Sequence, residues 1–346
     1  MCLGSVNVIL TPEEVLFRGL VLVGFEPKRQ KSVQHKKNLS RFRMHFSSDP
    51  SVYSVLLIKL QETKNEKANL SFDSEVDPRI HKIGVDGMLK YFFMSIYFLA
   101  CYPTEEQAEG LFGCSDRTWR NWVWEIVEKI ALLKPEIIVW PKKWNNPDNP
   151  EDPESATIFI ITVDGTHCRI EEPTHEAFSE NTKYYSHKFK SAAYDYEVAL
   201  SIFEDRCVWV AGPYPAGTPD ITIFRHKLKA KILESREASG VMHRAIGDKG
   251  YRGERGVLSI VSSADTDAVR KFKARVLSRQ EVFNSRLKCF DVLEDCFRHT
   301  GLPGHKGPAR NREVTGSEVK HQFCFDSCAV ICQVSQSIVR LFYPPT

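Results

Sequence analysis

Three acidic residues in the second half of the chain stand where one metal centre could use them together. Asp164 follows the β-branched and aromatic run from Ile158 to Val163, Asp248 follows the short apolar pair Ala245 and Ile246, and Glu281 lies in a strongly helical stretch, 278–298. A fourth, Asp220, follows a Gly/Pro loop (212–219) where a helix could begin, so it is either a further ligand or an ordinary helix-start acid. Carboxylates are hard oxygen donors, and a set that retains bound water suits Mg²⁺ or Mn²⁺. Two such ions about 4 Å apart can activate an attacking oxygen and stabilise a leaving oxygen in an in-line phosphoryl displacement. One Asp at a strand end usually caps a turn, so the combination carries the reading. Gly165 and Gly250 follow two of the acids and would leave room for a nucleic-acid backbone. The expectation is a metal nuclease acting on DNA.

The residues around Glu281 add to this. Lys288 lies seven positions on, which in an unbroken helix places it on nearly the same face, with Asn284 and Ser285 between. A cation there could hold a DNA phosphate, and Arg279 and Arg286 are further candidates. His167, in the run DGTHC, either assists water or metal or serves as a structural hydrogen-bonding histidine.

The elements that must position these groups are legible in part. The run Ile158–Val163 is a strand buried on both faces, and 194–203 and 207–211 read as two more, separated by the turn Glu204-Asp205-Arg206. Upstream, 141–155 is rich in Pro, Asn and Asp and reads as a linker. Before it the pattern is helical from Gly84, with Met88, Tyr91, Phe92 and Ser95 at helix spacing until Pro103. Thr104 and Gln107 form a capping-box pattern, Gly113 supplies a turn, and Ser115 caps a second helix carrying Trp119, Val123, Ile126 and Val127. This is the outline of a helix-turn-helix, in which Arg117, Thr118 and Arg120 would meet DNA near the start of the second helix, unless the pair is merely two packed helices. The first eighty residues read as an adaptor of low regularity. The expected division is therefore 1–83, an N-terminal region with a basic segment; 84–140, a helical domain; 141–155, a linker; 156–300, the catalytic domain; and 301–346, a C-terminal extension with a helix.

Bulk properties narrow the class. A net charge of +3 argues only weakly for a polyanionic partner. However, Lys28, Arg29, Lys31, Lys36, Lys37, Arg41 and Arg43 occur without an intervening acid. That block is a phosphate-neutralising segment, a nuclear import signal or a solvated loop. The cysteines form no even framework and no secretory signal is recognisable, so a reducing compartment is expected: nucleus in a eukaryote, cytoplasm otherwise. Cys324, Cys328 and Cys332 recur every four residues, as core residues of one helix face would. The apolar stretch 91–100 is too short to cross a bilayer, so no membrane role is expected.

The segments TVDGTHCRI, AGTPDITIF, AIGDKGY and RQEVFNSRLKCF resemble the DDE superfamily of transposase endonucleases, with closest likeness to the Harbinger-type group and related bacterial insertion-sequence transposases. The resemblance covers about 155–300, and the preceding helix pair matches the family layout. It implies an α/β fold: an RNase H-like mixed sheet flanked by helices, preceded by an all-helical helix-turn-helix domain. It further implies Asp164, Asp248 and Glu281 as catalytic residues, and Asp164, Asp220, Asp248 and Glu281 as ligands of Mg²⁺ or Mn²⁺. Implied partners are DNA, a Myb-like DNA-binding protein and a second copy of the chain on DNA. One departure stands out: the loop offers Gly217-Thr218-Pro219-Asp220 where the Harbinger group often has Gly-Ser-X-X-Asp. Two other readings remain: a transposon-derived DNA-binding or assembly protein without catalysis, and a metal phosphohydrolase acting on an RNA–DNA hybrid.

Overall fold

Capping residues and proline placement explain why the N-terminal region is regular after all. In the computed structural model, which describes residues 7–27, 32–142, 144, 157–172, 182–298 and 312–338, it is built of helices rather than an irregular adaptor. Lys28, Arg29 and Lys31 of the basic block, nearly all of the expected linker, and 301–311 and 339–346 of the expected C-terminal extension lie outside the described residues. The chain divides into two compact units: Met1–Ile137 with Lys288–Asp295 and Phe323–Ile338, and Ile138–Leu287 with Cys296–Gln322 and Val339–Thr346. The expected 1–83 and 84–140 segments thus share one unit.

In that first unit, α1 (Pro12–Leu22) starts with a reciprocal capping box. Thr11 accepts from the Glu14 amide, Glu14 accepts from the Thr11 amide at 2.8 Å, and Pro12 occupies the first turn, where no amide is needed. Helix α2 spans Ser32–Phe46, and α3 (Pro50–Glu62) is capped by Asp49. Gly19 permits their close approach, because a Cβ there would stand 2.5 Å from the Phe42 ring. Helix α4 (Ile80–Cys101) bends at Gly84, whose φ of 68° only glycine adopts readily. It is longer than the apolar stretch suggested, and by length and composition alone could cross a membrane. Met88, Phe92, Ile96 and Leu99 are instead buried, and the helix packs on α6 (Asp116–Ala131) and α2, as a core helix does. Helix α5 (Glu105–Phe112) shows the expected Thr104–Gln107 capping box and ends on Gly113 at φ 63°. Phe112 and Trp119 stack at 5.3 Å and hold α5 to α6. A single short turn, α7 (Lys134–Ile137), follows.

The second unit is a mixed sheet with helices against both faces, in agreement with the RNase H-like expectation. Strand β1 (Thr157–Arg169) pairs antiparallel with β3 (Ser191–Ser201), which pairs antiparallel with β4 (Cys207–Pro215) and with the short β2 (Tyr185–Ser186). On its other side β1 runs parallel to β5 (Met242–Ile246), and β5 runs parallel to β6 (Leu258–Ser259). Helices α8 (Asp220–His226) and α9 (Leu228–Ser239) bury Phe224, Leu228 and Ile232 against Ile161, Val163 and Ala199 on one face. Helix α10 (Asp267–Leu287) buries Phe272 and Val276 against Phe159, Ile202 and Ile246 on the other. Burying each such side chain contributes about 1.5–3 kcal/mol.

Helix α10 ends at Leu287 and the short α11 (Asp291–Glu294) follows, so the single helix expected over 278–298 is corrected to two. Phe290 in extended conformation makes the break. Helix α12 (Arg312–Ile338) closes the described chain, and Cys324, Cys328 and Cys332 along it are buried free thiols.

Candidate active site

Asp164 does not end its strand, as expected, but sits within β1, opposite Val198 of β3. Strand alternation decides what surrounds it. Thr162 and Asp164 face α10, where Gln280 accepts from the Thr162 hydroxyl at 2.9 Å and Asn284 Nδ2 donates to Asp164 Oδ2 at 2.8 Å. Val163, Gly165 and His167 face the other way, alongside their register partners Ala199, Glu197 and Asp195.

The space over Gly165 and Gly250 is filled by acid side chains, which corrects the expectation that it admits a nucleic-acid backbone. A Cβ on Gly165 would stand 3.1 Å from Asp220 Oδ1 and 3.2 Å from Asp195 Oδ1. A Cβ on Gly250 would collide with Asp220 Oδ2 and stand 3.1 Å from Asp248 Oδ1. Asp220 opens α8 behind Pro219, so its carboxylate belongs to the group around these two glycines. Asp248 leaves the end of β5 and caps a 3-10 turn (Lys249–Tyr251), accepting from the Gly250 amide at 2.8 Å. Gly247 lets Tyr251 fold back, since a Cβ there would meet the ring at 2.9 Å.

Electrostatics report how crowded this charge is. Burial, then the neighbouring Asp248, push the Asp164 carboxyl up to about 7. Burial and then Asp220 push Asp195 up to about 7, and both carboxylate oxygens of Asp195 lack a hydrogen-bond partner. Burial pushes Glu197 up to about 8, although Trp209 Nε1 donates to its Oε2 at 3.0 Å. Asp220 is raised by burial and then by Asp248. Like charges so placed ionise together only when a cation offsets them.

This all-carboxylate donor set fits a hard divalent cation in its chemistry. It is not a ready-made cage: among the described residues no group of three or more His, Cys, Asp or Glu side chains stands arranged to hold a metal ion. Glu281 is exposed on α10, one turn before Asn284. The structure therefore groups Asp164, Asp220 and Asp248, and gives Glu281 no contact with them.

Several expected DNA contacts are placed otherwise. Arg279 is buried and donates to the carbonyls of Ile202 and Glu204 and to Asp205 at 3.0 Å, so it clamps the β3–β4 turn and is corrected from a phosphate contact to a structural residue. Lys288 lies beyond the end of α10 and donates to the Leu293 carbonyl at 2.7 Å, which corrects its expected place on the Glu281 helix face. Arg286 is half-buried. In the first unit Arg117 is exposed, Arg120 pairs with Glu105 and with Asp116, and the Thr118 hydroxyl is bonded to that of Ser115. His167 Nδ1 meets Ser186 Oγ at 2.8 Å, with Nε2 3.8 Å from Asp195 Oδ1, a tie between β1, β2 and β3.

Sequence reasoning missed Asp195, Glu197 and Asn284. The signal for the first two was present: acids alternate with apolar residues in YDYEV, inside a strand whose other positions are apolar or small. Buried acids in such a strand require a partner or a proton.

No curated protein and no solved structure matches the chain. Residues 163–306 match the family model described as DDE superfamily endonuclease, and by that match the segment carrying Asp164, Asp220, Asp248 and Glu281 belongs to the DDE superfamily of endonucleases.

Proposed function

We propose that this chain is a divalent-metal-dependent DNA endonuclease of the transposase kind, which cuts phosphodiester bonds and joins the freed 3′ hydroxyl elsewhere. The observation that carries the reading is the group formed by Asp164, Asp220 and Asp248 around Gly165 and Gly250, in which neighbouring acids and burial hold Asp164 near neutrality. Asp164, Asp248 and Glu281 are the proposed catalytic acids, and with Asp220 they would hold Mg²⁺ or Mn²⁺. Such an ion supplies Lewis-acid stabilisation of the scissile phosphate and favours the ionised form of an attacking oxygen. That oxygen belongs to water in cutting and to a DNA 3′ hydroxyl in joining.

The chain's own residues supply the positioning. Asn284 fixes one Asp164 oxygen and the Gly165 amide holds the other at 2.9 Å. The Gly250 amide orients Asp248. Arg286, Lys288 and, in the first unit, Arg117, Thr118 and Arg120 are the proposed DNA contacts, with the α5–α6 pair acting as a helix-turn-helix. A Myb-like partner, a second copy of the chain on DNA, and a nuclear site of action in a eukaryote complete the proposal.

The exposure of Glu281 favours a second reading, a transposon-derived DNA-binding or assembly protein without catalysis. Supercoiled plasmid incubated with the protein in Mg²⁺ or Mn²⁺ separates the two. The expected result is nicking that Asp164→Ala and Glu281→Ala each abolish. No nicking by the wild type, or nicking that survives both substitutions, overturns the catalytic reading.

A further inference from the structure

Beside the edge strand β6, away from the acid group, the second unit carries a polar cleft of about 480 Å³. That is within the ~300–1,000 Å³ range of small-molecule pockets. Its charged lining is Arg244, Arg252, Arg255 and Lys273 against Glu254 and Asp265. The pairing of these six groups decides the sign of the cleft. Both oxygens of Glu254 are already taken, one by Arg225 at 2.7 Å and the other by Lys229 at 3.0 Å. Asp265 is taken by Lys273 at 2.8 Å. Arg244 is held by the carbonyls of Arg255 and Leu258, which position its charge without neutralising it. Arg252 and Arg255 are exposed, and neither forms an ion pair with a described residue. The acids lining the cleft are thus neutralised by other cations, and three guanidinium groups remain in excess.

We infer that this cleft seats the phosphate backbone of a nucleic-acid strand, with Arg252 and Arg255 as the contacting cations and Arg244 at its wall. Guanidinium groups present forked donors matched to phosphate oxygens. The segment is tied to the acid group by the chain itself: Asp248 caps the turn that Arg252 ends. A strand lying across Arg252 and Arg255 would be held in register without base readout, since phosphate contacts position and do not specify. The inference rests on the reading that the chain acts on DNA, and names a place where it does so.

The test is binding of a fluorescent DNA duplex to the full-length protein, titrated at several salt concentrations, for wild type, Arg252→Ala/Arg255→Ala and Arg255→Glu. Arg206→Ala, on the β3–β4 turn, sets the effect of removing a cation elsewhere. Each lost phosphate contact lowers the slope of log affinity against log salt by about 0.9, so the double variant should lose about 2 and bind roughly ten- to a hundredfold more weakly at 0.1 M salt. Arg255→Glu should weaken binding further than removal of Arg255 alone would. Inorganic phosphate and a free nucleoside monophosphate are titrated in parallel. Loss of nucleotide or phosphate binding in the double variant with unchanged duplex binding overturns the assignment to a strand. A slope and affinity equal to wild type, or to Arg206→Ala, overturn the site altogether. If wild-type protein still nicks plasmid in that case, only this site falls; a wild type that neither binds nor nicks removes the DNA reading with it.

Discussion

Asn284 reaches from α10 across to β1 and donates from Nδ2 to Asp164 Oδ2 at 2.8 Å. The helix that carries Glu281 thereby touches the first acid of the site through a different residue, one turn further on. Replacing Asn284 by Ala removes a hydrogen bond to a carboxylate, a loss of about 1.5–3 kcal/mol where the acid is ionised. We expect a nicking rate lowered at least tenfold and a weaker Mn²⁺ affinity, with Asn284→Asp worse than Ala because it adds a like charge. Metal titration separates positioning from general destabilisation. Unchanged Mn²⁺ affinity in both variants would sink the positioning role.

Gly165 and Gly250 are predicted to tolerate no side chain. A methyl group at 165 would press on Asp220 and Asp195, and one at 250 on Asp220 and Asp248. Gly165→Ala and Gly250→Ala should each cost about 1–3 kcal/mol by overpacking. Nicking should fall more than melting temperature does, because the displaced atoms are carboxylates. An active Gly250→Ala enzyme with wild-type stability would refute this placement of Asp220.

Stability of the metal-free protein should depend on pH in a defined direction. Asp164 and Asp195 are held at about 7 and Glu197 at about 8, all above their values in an unfolded chain. The folded state then binds more protons than the unfolded one, so this contribution is fully present below about pH 4 and is lost as pH rises through about 7 and 8. The melting temperature without metal should fall between about pH 5 and pH 8, and Mg²⁺ or Mn²⁺ should offset the fall. A metal-free melting temperature that rises steadily across that interval contradicts these directions.

Arg279 and Arg117 should part company under substitution. Arg279 is buried and bonded to three groups of the β3–β4 turn, so Arg279→Ala should destabilise by about 3–5 kcal/mol in urea unfolding. Arg117 is exposed, so Arg117→Ala should change stability by less than about 0.5 kcal/mol. If α5 and α6 act as a helix-turn-helix, the Arg117 variant should also lower the salt slope of DNA binding by about 1. An Arg279 variant as stable as wild type would return that residue to the list of surface cations.

Local signals in the sequence were sufficient for the helix starts at Thr104 and Ser115, the strand before Asp164, and the acids Asp164, Asp220 and Asp248, because caps, periodicity and turn residues act within a few positions of one another. They misjudged the N-terminal helices, whose caps at Thr11 and Asp49 were overlooked, and they ran α10 past Leu287 into a second helix. What surrounds Asp164 was settled only by tertiary structure. The β1–β3 register puts Asp195 and Glu197 on the Gly165 face, and the seating of α10 turns Asn284, not Glu281, toward Asp164. Those neighbours come from distant parts of the chain, and a shift of one residue in register would send every side chain of the strand to the opposite face. The sequence alone thus names the acids; which groups share their space follows from how the sheet pairs and where the helix lies on it.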